Sequence, residues 1–121
     1  MRFEARELKP YVEPVSPEIL REEEVYFSVQ FEDEDMLVPI MLPFIFLGRN
    51  LTDGDVDRFY FQEFGSYAAG VRFPPVTDDE LTQFQVPGPK DMNHIFEYER
   101  ALDVLMSCAL MRRKDAAVKD K

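Results

Sequence analysis

Tryptophan is absent from this chain, histidine and cysteine occur once each, and glycine occurs only five times. Each scarcity excludes something. One cysteine, Cys108, rules out an internal disulfide, so the fold must stand without a covalent staple. One histidine, His94, and one cysteine fall short of a tetrahedral His/Cys zinc set, and carboxylates alone suit zinc badly. No metal is expected. The five glycines, Gly48, Gly54, Gly65, Gly70 and Gly88, fit neither GxGxxG nor GxxxxGK[ST]. No phosphate-binding loop and no cofactor are expected.

Positive charge is also short. Fourteen Lys and Arg face 24 Asp and Glu, for a net charge of −10. Nucleic-acid binding needs basic side chains to neutralise phosphates, so it is not expected. The same balance argues against anionic membrane surfaces. The acidity is uneven. Residues 1–35 hold 11 acids and 4 bases, residues 36–88 hold 7 and 3, and residues 89–121 hold 6 and 7. The C-terminal segment is therefore close to neutral, with its bases at the end.

Long apolar runs are missing too. The longest, Met36 to Leu47, spans 12 residues and contains Pro39 and Pro43. A membrane-spanning helix needs about 20. The first ten residues, MRFEARELKP, lack the apolar centre of a signal peptide. The reading is a cytoplasmic protein with no membrane partner.

What is present is material for an ordinary core. Apolar residues make up 45% of the 121, and 11 phenylalanines dominate the aromatics. That length suits one domain over residues 1–121. Residues 1–23, punctuated by Pro10, Pro14 and Pro17, read as an irregular or extended lead-in. A short strand is expected near Phe3–Leu8 and a helical turn at Ser16-Pro17-Glu18. Val25, Phe27, Val29 and Phe31 alternate with Tyr26, Ser28 and Gln30, which predicts a strand with one buried face. Four acids, Glu32 to Asp35, suit a hairpin tip. Pro39 and Pro43 lie four apart in the apolar run, so their missing donors point along one edge of a bent strand or of two short strands.

Residues 57–64 and 67–73 alternate as further strands, with Gly65-Ser66 as a turn between them. Thr82 to Val86 suggests a short strand. Residues 91–114 predict one long helix. Its apolar stripe is Ile95, Tyr98, Leu102, Leu105 and Ala109, widened by Phe96, Met106 and Leu110. Residues 115–121 are expected to fray. The fold class is α+β: an antiparallel sheet of about four to five strands, with the C-terminal helix packed on one face.

Chemistry is thin. His94 in the first turn of that helix and Cys108 near its end would stand about 21 Å apart at ~1.5 Å per residue, too far for a nucleophile–base pair. Asp53, Asp55 and Asp57 have the spacing that opens a calcium loop. Arg58 and Phe64 then occupy the positions of its glycine and its bidentate glutamate. The reading is a solvated turn. Three ligand-binding candidates remain. Glu63 sits between aromatics, where desolvation would raise a carboxyl pKa. Arg49 and Arg72 sit among aromatics, where an arginine either recognises an anion or forms a structural pair. No catalytic residue is assigned.

The remaining signal is an excess of apolar side chains over what a two-layer core needs. That points to a non-enzymatic protein-interaction domain, chaperone-like or inhibitor-like, using an apolar, aromatic sheet surface. Its partner is another protein or itself, as a homodimer, and the acidic loops would steer a basic partner. The alternative is a small-molecule-binding domain or enzyme with an apolar pocket between sheet and helix. A third reading is a structural subunit of a larger assembly.

Overall fold

A computed structural model describes residues 12–35 and 37–119, with side chains through residue 114. The strand expected near Phe3–Leu8 lies outside the described residues. The fold is a five-stranded antiparallel sheet with a long C-terminal helix on one face. The strands are β1 (Val25–Phe31), β2 (Pro39–Arg49), β3 (Phe59–Glu63), β4 (Phe84–Gln85) and β5 (Ile95–Phe96). Their order across the sheet is β4-β3-β2-β1-β5. The helices are α1 (Phe64–Ala68), α2 (Asp78–Leu81) and α3 (Tyr98–Lys119).

The β1–β2 hairpin is the centre of the sheet, pairing Val25 with Ile45 through Phe31 with Pro39. Its acidic connection is ordered by Asp33, whose carboxylate accepts from Leu37 N at 3.1 Å and Val38 N at 2.8 Å. The bond from Val38 is the main reason the Asp33 carboxyl sits below its ordinary pKa.

β2 is one strand rather than two, bent by a bulge between Phe46 and Gly48. Gly48 takes φ +149°, and a Cβ there would lie 3.1 Å from Leu51. β3 pairs β2 only as far as Phe44, so Pro39–Pro43 has no strand beyond it among the described residues. Even-numbered residues near both ends of the β1–β2 ladder exchange backbone bonds, Glu32 N with Val38 O and Phe46 N with Glu24 O. Pro39, Met41 and Pro43 therefore turn their backbone groups the other way, toward the open edge. With both prolines lacking an N–H, Met41 is the only donor there.

The register sorts the side chains into two faces. Tyr26, Phe44, Phe46, Phe59, Phe61 and Ile95 share one of them, and the lead-in covers it with Val15 and Leu20. Val15 N donates to Ile95 O at 2.7 Å, which pins the lead-in to β5. The helical turn is a single turn of 3-10 helix, Pro17–Ile19. On the opposite face, Val29 and Phe96 pack under Ala101, Val104 and Cys108 of α3, with Phe27, Phe31 and Met41 at the margin. Farther along that face, beside the buried Gln62, Tyr60 and Phe84 pack against Phe73, whose ring meets Tyr60 at 5.1 Å and Phe84 at 5.7 Å. Both faces of the sheet are thus lined with buried aromatic rings.

Two expected elements differ. Residues 64–68 form a helix, where the sequence suggested a turn leading into a strand. The helix ends in a Schellman closure: Gly70 at φ +99° lets its N–H reach Tyr67 O, while Val71 N reaches Ser66 O at 3.0 Å. Ser66 Oγ donates to Glu63 O, and the buried Gln62 Nε2 donates to Ser66 Oγ and to Val71 O. Local polar bonds there outweigh the alternation of apolar residues. The second difference is the start of the long helix. Ile95-Phe96 pairs with Ser28-Phe27 as an edge strand, so α3 begins only at Tyr98 and runs on through Lys119. No helix among the described residues is long and apolar enough to cross a membrane.

Candidate functional site

The three candidate residues stand apart. Arg49 is exposed on β2, its guanidinium 5.2 Å above the Phe59 ring and donating to Pro17 O. That arrangement ties the lead-in to the end of β2. Glu63 ends β3 opposite Phe44 and is exposed. It is four residues from Phe59, the register partner of Arg49, or about 14 Å along the strand at ~3.4 Å per residue. Arg72 is exposed in the segment after α1. It lies 3.8 Å from the Tyr67 ring centroid and donates to Tyr67 O and Val71 O at 2.7 and 2.8 Å. Its contacts close the α1 turn.

Arg72 borders an open cleft of about 690 Å³, shared with Glu22, Glu23 and Asp53. Three carboxylates to one guanidinium is a poor setting for an anionic ligand.

The acidic turn is also committed internally. Asp55 accepts from Thr52 N at 3.1 Å and from Tyr60 Oη, and that carboxylate raises the Tyr60 pKa. Among the described residues no three His, Cys, Asp or Glu side chains converge as a metal set.

His94 is not on a helix. It precedes β5, and its carbonyl accepts from Val29 N at 2.9 Å. The helical spacing from His94 to Cys108 therefore does not apply. Cys108 is buried under the sheet, and burial, followed by the nearby Asp33 charge, raises its thiol pKa. A buried thiol held in its neutral form is a poor nucleophile.

A smaller apolar cleft of about 310 Å³ does lie between sheet and helix. Val29, Phe31, Phe96, Val104, Cys108 and Met111 line it, with Asp35 and Asn93 as polar neighbours. Neither Arg49 nor Arg72 borders it.

The feature that sequence reasoning placed wrongly is the phase of α3. Its sheet-facing side is Ala101, Val104 and Cys108, each at most 8% exposed. The larger side chains point elsewhere. Tyr98 is 58% exposed, Leu102 54%, Met106 53%, Leu110 41% and Leu105 38%. At 100° per residue, Tyr98, Leu102, Leu105, Met106, Ala109 and Arg113 share an arc of about 100°, and Leu110 flanks it. That arc is centred about 120° from the sheet-facing side. The Tyr98 ring still touches the domain, edge-on to Phe27 at 4.7 Å. A second, smaller group of exposed apolar residues, Val38, Ile40 and Leu42, lies at the distal end of the β1–β2 hairpin.

Comparison with models of known protein families, with curated proteins and with solved structures found no match for this chain.

Proposed function

We propose that this chain is a protein-interaction domain whose contact surface is the outer face of α3. The observation that carries the reading is five large apolar side chains, Tyr98, Leu102, Leu105, Met106 and Leu110, at 38–58% exposure along one helix. Apolar residues scattered singly over a surface need no explanation, whereas a continuous stripe signals a partner. The sheet aromatics are interior, so the contact moves from the sheet to the helix. The mode is a helix face set against a complementary apolar surface. Pairing through the open edge of β2 is disfavoured, because Pro39 and Pro43 leave Met41 as its single donor. Nothing in the arrangement of His94, Cys108, Glu63, Arg49 and Arg72 supports catalysis.

A second reading rests on the apolar cleft between β1, β5 and α3. At about 310 Å³ it is at the small end of the range for ligand pockets. It would take a compact apolar molecule, with Asn93 as the orienting polar group.

The test is fractionation by native size of the tagged chain in an extract of its source cells, beside a Leu102→Ser, Met106→Ser variant. The expected result is wild type eluting above monomer mass and the variant eluting as a monomer, with equal melting temperatures. Identical monomeric elution of both would overturn the reading.

A further inference from the structure

We infer that Asp53-Gly54 is a modification site, where the Asp53 carboxyl closes onto the Gly54 backbone nitrogen and the ring reopens to isoaspartate. In the closure a bond forms between the Gly54 nitrogen and Asp53 Cγ. One carboxyl oxygen leaves as water, taking a proton from that nitrogen. The succinimide ring then takes one water back. Opening at the side-chain carbonyl restores aspartate. Opening at the main-chain carbonyl leaves the backbone running through Cγ, which is isoaspartate. Mass is unchanged, and water is the only co-reactant.

Sequence singles out this position. The chain has 11 Asp and 2 Asn, and only Asp53 is followed by glycine. Elsewhere the next residue's side chain crowds the approach to its nitrogen. Within the same loop Asp55 precedes the β-branched Val56, and Asp57 precedes Arg58. A Cβ built on Gly54 would meet nothing within 4 Å, so its surroundings are as open as the residue itself.

The fold leaves the pair unguarded. Asp53 and Gly54 are both exposed, in the middle of the turn that Asp55 N closes onto Thr52 O. Asp55 is held there by Thr52 N and Tyr60 Oη. Asp53 accepts no such bond among the described residues, and Gly54 N has no acceptor among them. The Asp53 side chain borders the open cleft beside Glu22 and Glu23, where water reaches it. Asp33 is the contrast: Leu37 N and Val38 N hold its carboxylate, and Glu34 follows it. Closure at Asp53 breaks no side-chain bond and displaces no packed group.

Peptide mapping by mass spectrometry tests this on the full chain, aged at neutral pH in native buffer and in guanidinium chloride. A second Asp53-Gly54 peptide is expected, of unchanged mass and altered retention, and a substrate for isoaspartyl methyltransferase. It is expected to accumulate as fast in native buffer as in denaturant. Asp53→Glu, whose ring would be larger and slower to close, is expected to abolish it. Asp53→Asn is expected to hasten it, with ammonia leaving in place of water and the amide becoming an acid. Isoaspartate that forms in denaturant but not in native buffer would show that the turn guards the bond, and overturns the inference. Its absence from both samples overturns it too, as does an equal yield at Asp55 or Asp57.

Discussion

The two sides of α3 use opposite vocabularies. Toward the sheet it presents Ala101, Val104 and Cys108, all buried. Away from the sheet it presents Tyr98, Leu102, Leu105, Met106 and Leu110, all substantially exposed. A helix that only closed its own core would do the reverse, since burial of a leucine stabilises far more than burial of an alanine. Small side chains let the helix backbone come close to β1 and β5. The large ones are then left for a surface that the described residues do not supply. The sheet makes the same point from its other face, where the lead-in uses Val15 and Leu20 to complete a cluster of rings. Among the described residues, the sheet's lead-in face is closed by its own side chains, and the outer side of α3 is left exposed.

That contrast breaks most visibly in the sheet. Phe61 is 1% exposed, with its ring 5.3 Å from Phe46 and 6.4 Å from Tyr26. Phe61→Ala is expected to cost about 3–5 kcal/mol, read from the urea midpoint at unchanged slope. A loss under 1 kcal/mol would mean the lead-in does not seal that face.

On the inner side of α3 the effect is smaller but of the opposite kind. Ala101 is 2% exposed against Phe96 and Val29. Ala101→Leu is expected to destabilise by about 1–3 kcal/mol through overpacking, although leucine is more apolar and nearly as good a helix former. Stabilisation instead would show that the helix has slack against the sheet.

Gly70 is next. At φ +99° with nothing within 4 Å of a built Cβ, its need for glycine is conformational and not steric. Gly70→Ala is expected to cost about 1 kcal/mol, and Gly70→Asn less, because asparagine tolerates the left-handed region. Thermal melts of the two variants separate this from a packing defect, which would make the larger Asn the worse choice.

The sequence carried much of this architecture. β1 followed from strict alternation, and β2 from a continuous apolar run whose prolines foretold an open edge. What stayed hidden depended on distant partners. Ile95-Phe96 became a strand because Ser28 and Phe27 offered an edge. Residues 64–71 became a capped helix because Gln62 and Ser66 knit the turn from below. Periodicity found the apolar stripe of α3 but not which way it pointed, since a second stripe of smaller residues shared the helix. Arg49, Arg72 and Glu63 were legible as unusual residues, yet each is spent or isolated locally. Charge and aromatic neighbours in a sequence do not reveal convergence in space.

pH sharpens the comparison at the turn before the edge strand β5. Burial holds the His94 pKa below its usual 6.5, against a weaker opposing pull from Asp91. The folded state therefore binds its proton less readily than the unfolded chain does. The sign follows: His94 costs nothing above pH 6.5, and stability falls as pH drops below it. His94→Asn is expected to flatten that part of the stability–pH curve. A curve of unchanged slope between pH 6.5 and 5 would assign the loss to other groups.

The smallest effect on stability is expected where the exposed side chains are largest. Leu102→Ser removes an isobutyl group that is already 54% exposed, so the monomer should shift by no more than about 0.5 kcal/mol. Helix propensity contributes most of that, since serine is a poorer helix former than leucine. The same change should abolish association, because it puts a polar group into the apolar stripe of the outer face. The paired measurement, a chemical melt at low concentration and fractionation by native size in the extract, asks the two sides of α3 different questions. A large loss in the dilute melt would place Leu102 in the monomer core. A small loss with association intact would move the contact to the Val38–Leu42 end of the hairpin. Only a small loss in the first and a complete loss in the second is consistent with a helix whose inner side serves the fold and whose outer side serves a partner.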